Sequence, residues 1–471
     1  MNRATNKLLK LFLGGCIPLV IWNVIIVNQE FEDPTRIGKM VFFLWMVVPI
    51  VLMYILNLLV QNKTYLSTIS VFSVLFMIYI FINGKNSGIW NNEKFLYFAG
   101  CLVVLLSISH LVAHQKQFTL NAIPVLTFSL IFTGLYEALY GLLQLYDMKS
   151  SFHASFKVTG TFFNPAPYSG YLLAVFPFAL QKVIFAPQKN LMSVLKINHR
   201  FYQRRKGKKD GDHHNGNLPS LKSWLKGIYI YFLTFLNIKT RQWAIYAISL
   251  LTVLLIIVVL PATLSRASWL GIIAASAFLA WQIPAFQRRK TRLFTRYPKW
   301  IIYVILTCLL TAGLTGIYFL KKDSASGRLL IWKITLAESL EKPVTGHGFN
   351  AFMAKYPPAQ ARYFSEGNGT QYEGFVAGNV RHMFNEPLQI FFEQGLIGLL
   401  LFLLILGWAM RIKKPEKGET GIFHSAKASI LGIFVFSLFS YPFYSVPICV
   451  VFAVSLGILS GFEKPLRFAN T

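Results

Sequence analysis

The chain has 471 residues, of which 55% are hydrophobic and only 14% charged, and it carries a net charge of +28. A soluble domain holds about a quarter charged residues, so this composition excludes an ordinary globular protein. In a polytopic membrane protein such an excess of Lys and Arg speaks to topology before it speaks to nucleic acid, and no nucleic-acid partner is expected.

Apolar stretches near the bilayer-crossing length of about 20 residues fall at 9–27, 40–60, 65–83, 95–113, 119–146, 167–186, 242–260, 267–284, 300–320, 387–410, 427–443 and 445–461. The expected fold is therefore an all-α polytopic membrane protein, one integral domain over 1–471, with about 12 transmembrane helices. The first stretch lacks a small-residue cleavage site and is read as a retained helix. With the N-terminus in the cytoplasm, inside segments hold 31 of the 46 Lys and Arg and outside segments 15. The positive-inside rule favours that orientation, with both termini cytoplasmic.

Two loops are long. Residues 187–241 form a basic cytoplasmic loop with a polar, Gly-rich centre expected to be disordered, and 224–239 reads as an interfacial helix. Binding of anionic membrane lipid and simple topological anchoring both fit that loop. His213 and His214 within it are weak evidence for a metal. Residues 321–386, between spans nine and ten, form a partly helical outer loop. Leu329, Trp332, Leu336 and Leu340 recur at helical spacing over 328–341, and Pro343 and Gly346 end that helix. Residues 366–379 read as a mobile loop or lid.

Cys16, Cys101, Cys308 and Cys449 lie far apart in apolar stretches, without metal or redox spacing. Chemistry must come from elsewhere. Arg266 interrupts an apolar stretch running from 243 to 283, which puts it in the outer turn of a helical hairpin, with Ser265 and Ser268 beside it as further donors. A snorkelling arginine is the bland alternative. Arg328 falls near the start of the 328–341 helix, where a helix N-terminus already favours an anion. RHMFNEP, 381–387, gathers Arg381, His382, Asn385 and Glu386 before span ten. Asn385 suits a helix cap and Glu386 the first turn, whereas His382 suits proton transfer and Arg381 would lower its pKa or grip phosphate. Glu137 is the carboxylate deepest in an apolar span, as a partner for an arginine or a proton site; Tyr136, Tyr140 and Tyr146 nearby fit core packing or a sugar cleft.

GTFFNPAPYSGYL at 160–172, LSRASWLG at 264–271, GRLLIWKITLAESLEKPVTGHGFNAF at 327–352 and HMFNEPLQIFFEQGLIGLLLF at 382–402 together resemble the O-antigen ligase and polymerase superfamily over about 155–460. The resemblance implies a membrane glycosyltransferase at the outer face of the bacterial inner membrane, with 321–386 as a periplasmic catalytic loop. It implies a polyprenyl-diphosphate-linked glycan donor, a glycolipid (lipid A–core) or glycan acceptor, and no metal or other cofactor. It assigns Arg266 and Arg328 to the diphosphate, His382 to the acceptor hydroxyl, and Asn164 to substrate binding. Many members carry His directly before the Asn; here Phe384 stands there, so Glu386 or His347 is an alternative base. A polymerase extending carrier-linked chains fits the same motifs. A glycan transporter is the reading from another class, although the marked groups collect on one face instead of at the membrane midplane.

Overall fold

A computed structural model describes residues 15–61, 65–84, 92–114, 122–185, 238–296, 322–415 and 420–465, with Ile89 and isolated positions between 298 and 316. Among the described residues the secondary structure is helical throughout. The basic loop expected at 187–241 lies outside them up to 237, as does most of the ninth span, 300–320.

In chain order the helices are α1 (Gly15–Ile25), α2 (Ile37–Gln61), α3 (Thr68–Gly84), α4 (Glu93–Ala113), α5 (Ala122–Leu145), α6 (Pro165–Ile184), α7 (Ile238–Val259), α8 (Arg266–Trp281) and α9 (Pro284–Arg296). After these come α10 (Lys322–Ser339), α11 (Phe352–Ser365), α12 (Gln371–Val376), α13 (Glu386–Arg411), α14 (Thr420–Ser437) and α15 (Val446–Phe462). Among the described residues six helices, α2, α4, α5, α7, α13 and α14, are long and apolar enough to cross a membrane. Three apolar helices, α1, α3 and α15, are shorter, and α8 meets α9 at an 86° bend. Trp45, Val48 and Leu52 on α2, Leu254 and Ile257 on α7, and Leu400 and Leu404 on α13 point outward, as a lipid-facing belt requires.

The bundle is closed by small residues. On α15, a Cβ at Gly461 would come within 2.8 Å of the Ser109 carbonyl oxygen on α4; between α8 and α14, one at Gly271 would meet the Gly432 carbonyl at 2.7 Å. Backbone contact of this kind is how helices associate where lipid removes the hydrophobic driving force.

Transmembrane helix α13 is broken. Gly395 sits at φ 63°, ψ −166° inside it, and the segment 343–348 fills the gap. Leu396 N–H donates to the Pro343 carbonyl (2.8 Å), while His347 and Gly348 N–H groups donate to the Phe392 and Glu393 carbonyls (2.9 Å each). Asn83 Nδ2 donates to the Thr345 carbonyl at 2.8 Å and Tyr79 OH to the Gln394 carbonyl at 2.9 Å. The backbone groups freed by the break are thus paired within protein, the condition for irregular chain at membrane depth. The motif glycines follow from this, since a Cβ at Gly395 would lie 2.2 Å from the Val344 carbonyl oxygen.

Helix α10 begins at Lys322, six residues before the expected start, so Arg328 lies well inside the helix and not at its N-terminus. Leu330, Ile331 and Ile334 of α10 form a small core with Phe352, Tyr356, Met383 and Phe392, which seats the loop on the bundle. Residues 366–379, expected as a mobile loop, hold α12, closed by a Thr370–Glu373 capping box and tied to α10 by Lys333 to Glu373 (3.1 Å) and Tyr372 to Asp323 (2.9 Å).

Candidate functional site

Two cavities meet at one end of the bundle. The first, about 500 Å³, is lined by Arg266, Arg328 and Arg381 together with Asn164, Ser265 and His382. The second, about 610 Å³, lies between the 32–39 segment, the 162–167 segment and the 441–447 turn, and Asn164, Arg381, His382 and Tyr441 line it as well. Those four residues form the boundary between the two spaces.

Arg266 is the first residue of α8. A short 3-10 turn, Pro261–Thr263, ends α7's approach, and Leu264 follows at φ 51°. A branched apolar residue in the left-handed region is uncommon and held only by its surroundings. Here it reverses the chain so that Ser265 and Arg266 border the cavity. Ser268 does not join them. It is buried, and its hydroxyl donates to the Ser265 carbonyl at 2.7 Å.

Arg328 reaches the same cavity from α10. Its Nη1 donates to the Phe439 carbonyl at 2.8 Å, and its guanidinium lies 4.7 Å from the Phe384 ring centre. Burial, and then the charge of Arg266, lowers its pKa to about 10, so it remains a cation at neutral pH. Phe384 holds this contact from φ 58°, a second strained residue on the cavity wall.

His382 precedes it by two residues. Its ring stacks on Tyr441 (4.0 Å between centres, 14° between planes) and meets Tyr444 edge-on at 4.5 Å. Its Nδ1 is enclosed without a hydrogen-bond partner. Burial first, then the cations Lys94, Arg36 and Arg381, lower its pKa to about 4. The imidazole is therefore neutral at pH 7, the form that accepts a proton.

Asn385 and Glu386 have other work. Asn385 Oδ1 accepts from Leu388 N–H at 3.0 Å as the cap of α13. Glu386 is buried and accepts from Phe443 N–H at 3.0 Å, behind the aromatic wall. It lines an apolar cavity with Lys94, Gln389 and Glu393, separate from the arginines. His347 is also elsewhere. Its Nε2 is 2.9 Å from the Glu338 carbonyl and its ring packs on Phe392 at 4.7 Å. With Glu338 and Glu341 it forms a cluster whose ligand atoms lie within 4.8 Å of one another. Arg362 already bridges both carboxylates, at 2.7 and 3.7 Å.

Glu137 braces the site from below. Its two oxygens accept from the Thr161 N–H (3.1 Å) and hydroxyl (2.7 Å), while Lys39 donates to the Thr161 carbonyl at 2.9 Å. Gln144 Oε1 accepts from the Thr159 and Gly160 N–H groups. These bonds fix the turn that carries Asn164 to the boundary between the cavities. Tyr136 and Tyr140 pack against each other with ring centres 6.2 Å apart and border neither cavity.

Sequence reasoning missed Arg36, Lys94, Tyr441 and Tyr444. Lys94 is buried, with Nζ 3.9 Å from the centre of the Tyr444 ring, and it lines neither of His382's cavities. Tyr444 OH bonds to Gln389 Nε2, which also donates to Glu393 at 2.9 Å. The available signal was SYPFYS, 440–445, a polar and aromatic interruption between the last two spans.

Residues 250–403 match the O-antigen ligase family. A Rickettsia bellii protein named as a polysaccharide ligase is 29% identical over 135 residues, which are 28% of this chain and 31% of that protein. A Rickettsia conorii protein with the same words in its name is 34% identical over 89 residues, 19% of this chain and 20% of that protein. The matched stretches thus span less than a third of the length of these curated relatives. Arg266, Arg328, Arg381 and His382 fall within the family match, whereas Arg36, Lys94, Asn164, Tyr441 and Tyr444 fall outside it. Residues 250–403 are thus the stretch in which this chain is similar to the O-antigen ligase family.

Proposed function

We propose that the chain transfers a glycan from a polyprenyl-diphosphate carrier to an acceptor hydroxyl, at the outer face of the bacterial inner membrane. The observation that carries this reading is the convergence of Arg266, Arg328 and Arg381 on one cavity whose wall, at His382, is shared with a second. The first cavity takes the diphosphate and the second presents the acceptor.

The chemistry follows from charge. The acceptor oxygen attacks the anomeric carbon, and the sugar–oxygen bond breaks with its electron pair going to the diphosphate. Negative charge grows on the departing phosphate oxygens. Guanidinium groups fixed beforehand stabilise that charge more in the transition state than mobile water would. Arg328 is held on one side by the Phe439 carbonyl and on its face by Phe384, so little reorganisation is needed. The hydroxyl proton passes to the neutral imidazole of His382. Because the polyprenyl tail stays in lipid, its diphosphate sits at headgroup height, and the hairpin turn bearing Arg266 lies at the end of two apolar helices.

The test is direct. Purified protein is incubated with carrier-linked glycan and with either a core glycolipid or a second carrier-linked glycan, and products are weighed. The reading expects a new glycosidic product with one of the two acceptors and none with His382→Ala. Product formation by His382→Ala at the wild-type rate contradicts the role given to the imidazole.

A further inference from the structure

Helix α9 lies apart from the site and lines neither of its cavities. Helix α8 starts at the cavity with Arg266 and ends at Trp281, so α9 leaves the bundle at the opposite membrane face. It does so at 86° to α8. The bend is built. Pro284 opens α9, Gln287 Nε2 donates to the Trp281 carbonyl at 2.6 Å, and Lys290 Nζ lies 3.5 Å above the Trp281 ring. A helix perpendicular to a membrane-crossing neighbour runs in the plane of the membrane.

Its composition suits that plane. PAFQRRKTRLFTR contains no acidic residue. Arg288, Arg289 and Arg292 are exposed and, at three- and four-residue spacing, share one side of the helix. Trp281 and Phe286 at the bend are exposed apolar groups, 47% and 42% accessible. Trp at a helix end commonly marks the headgroup boundary. Helix α8, with 16 residues, is ~24 Å long at 1.5 Å per residue, short of the ~30 Å hydrocarbon core. Its end at Trp281 therefore lies about one helical turn short of the far side of the hydrocarbon core, which sets α9 at the inner edge of that core, within reach of the headgroups.

We infer that α9 is a docking surface for anionic phospholipid headgroups on the leaflet opposite the site. The apolar residues at its start separate this from a site for a soluble acidic protein, which would leave Trp281 and Phe286 facing water. The cationic side meets phosphate, and the attraction falls off within a Debye length.

The test uses the full chain in nanodiscs of phosphatidylcholine alone or of phosphatidylcholine mixed with phosphatidylglycerol. Amide hydrogen exchange is followed by mass spectrometry across 284–292. Exchange is expected to be at least roughly tenfold slower in the anionic discs. That difference should vanish in Arg288→Gln/Arg289→Gln/Arg292→Gln, while α10 and α13 keep their wild-type protection as evidence of an intact fold. Equal exchange in the two lipids, or slowing that survives the triple substitution, overturns the inference.

Discussion

Arg328 rests on Phe384, with its guanidinium carbon 4.7 Å from the ring centre and its Nη1 bonded to the Phe439 carbonyl. The aromatic residue before Asn385 thus orients Arg328, the cation proposed to face the diphosphate. A cation–π contact in a partly desolvated site contributes ~1–2 kcal/mol. Phe384→Leu should lower kcat/KM for the carrier-linked donor roughly tenfold. Arg328→Lys should cost more, since lysine offers neither the plane nor the fixed fork of donor nitrogens. Steady-state kinetics of the two purified variants check both. Unchanged kcat/KM in Phe384→Leu would remove the orienting role.

The pH profile has a definite sign. His382 must be neutral to accept a proton, and its pKa is lowered to about 4. Activity should be flat from neutral pH down to about 5 and fall as pH drops through about 4. An unperturbed histidine would lose activity near 6.5. Burial is the largest cause of the shift and Lys94, Arg36 and Arg381 are the charged ones. Lys94→Met and Arg381→Gln should each move the acid limb upward, and a pH–rate series on wild type and the two variants reads this out.

The break in α13 should be intolerant of a side chain. At Gly395 a Cβ would clash with the Val344 carbonyl at 2.2 Å, and the backbone is in the left-handed region. Gly395→Ala is expected to destabilise the protein by at least ~2 kcal/mol. Thermal unfolding in detergent should show a lower Tm, with Gly374→Ala, at a site with no atom within 4 Å of the added Cβ, as a near-neutral control.

Glu137 supports the site without touching it. Removing its side chain leaves the buried Thr161 N–H and hydroxyl without their acceptor and uncovers Lys39. Glu137→Ala should cost about 3 kcal/mol and loosen Asn164. Glu137→Gln keeps an acceptor oxygen and should be milder. Thiol labelling of Asn164→Cys in each background would follow the turn, with faster modification expected in Glu137→Ala.

Much of this was legible in the residues themselves. Arg266 announced itself as a charge in an apolar run, and Arg328 and the 381–386 knot as polar groups beside the outer boundary. Their side chains line one cavity, a convergence that the sequence left open. Other features were hidden because they depend on tertiary pairing. Arg36 and Lys94 come from the first hundred residues and reach His382's surroundings only once α2 and α4 pack into the bundle. Glu386 and His347 stood as alternatives to His382 in sequence, yet helix phase turns Glu386 behind the aromatic wall, and insertion of 343–348 into α13 carries His347 away. The early start of α10 was masked by Ser324, Ser326 and Gly327, weak helix formers that the docked loop overrides.

Guanidinium groups at the mouth of the bundle, neutralising a departing diphosphate, are the core of the proposed reaction. Its most direct measurement is glycan transfer from purified carrier-linked donor by Arg266→Ala and Arg266→Lys, each shown to be folded by its Tm. Loss of at least about a hundredfold in kcat is predicted, the scale expected when one preset electrostatic group is removed. Transfer by both variants at the wild-type rate would contradict it.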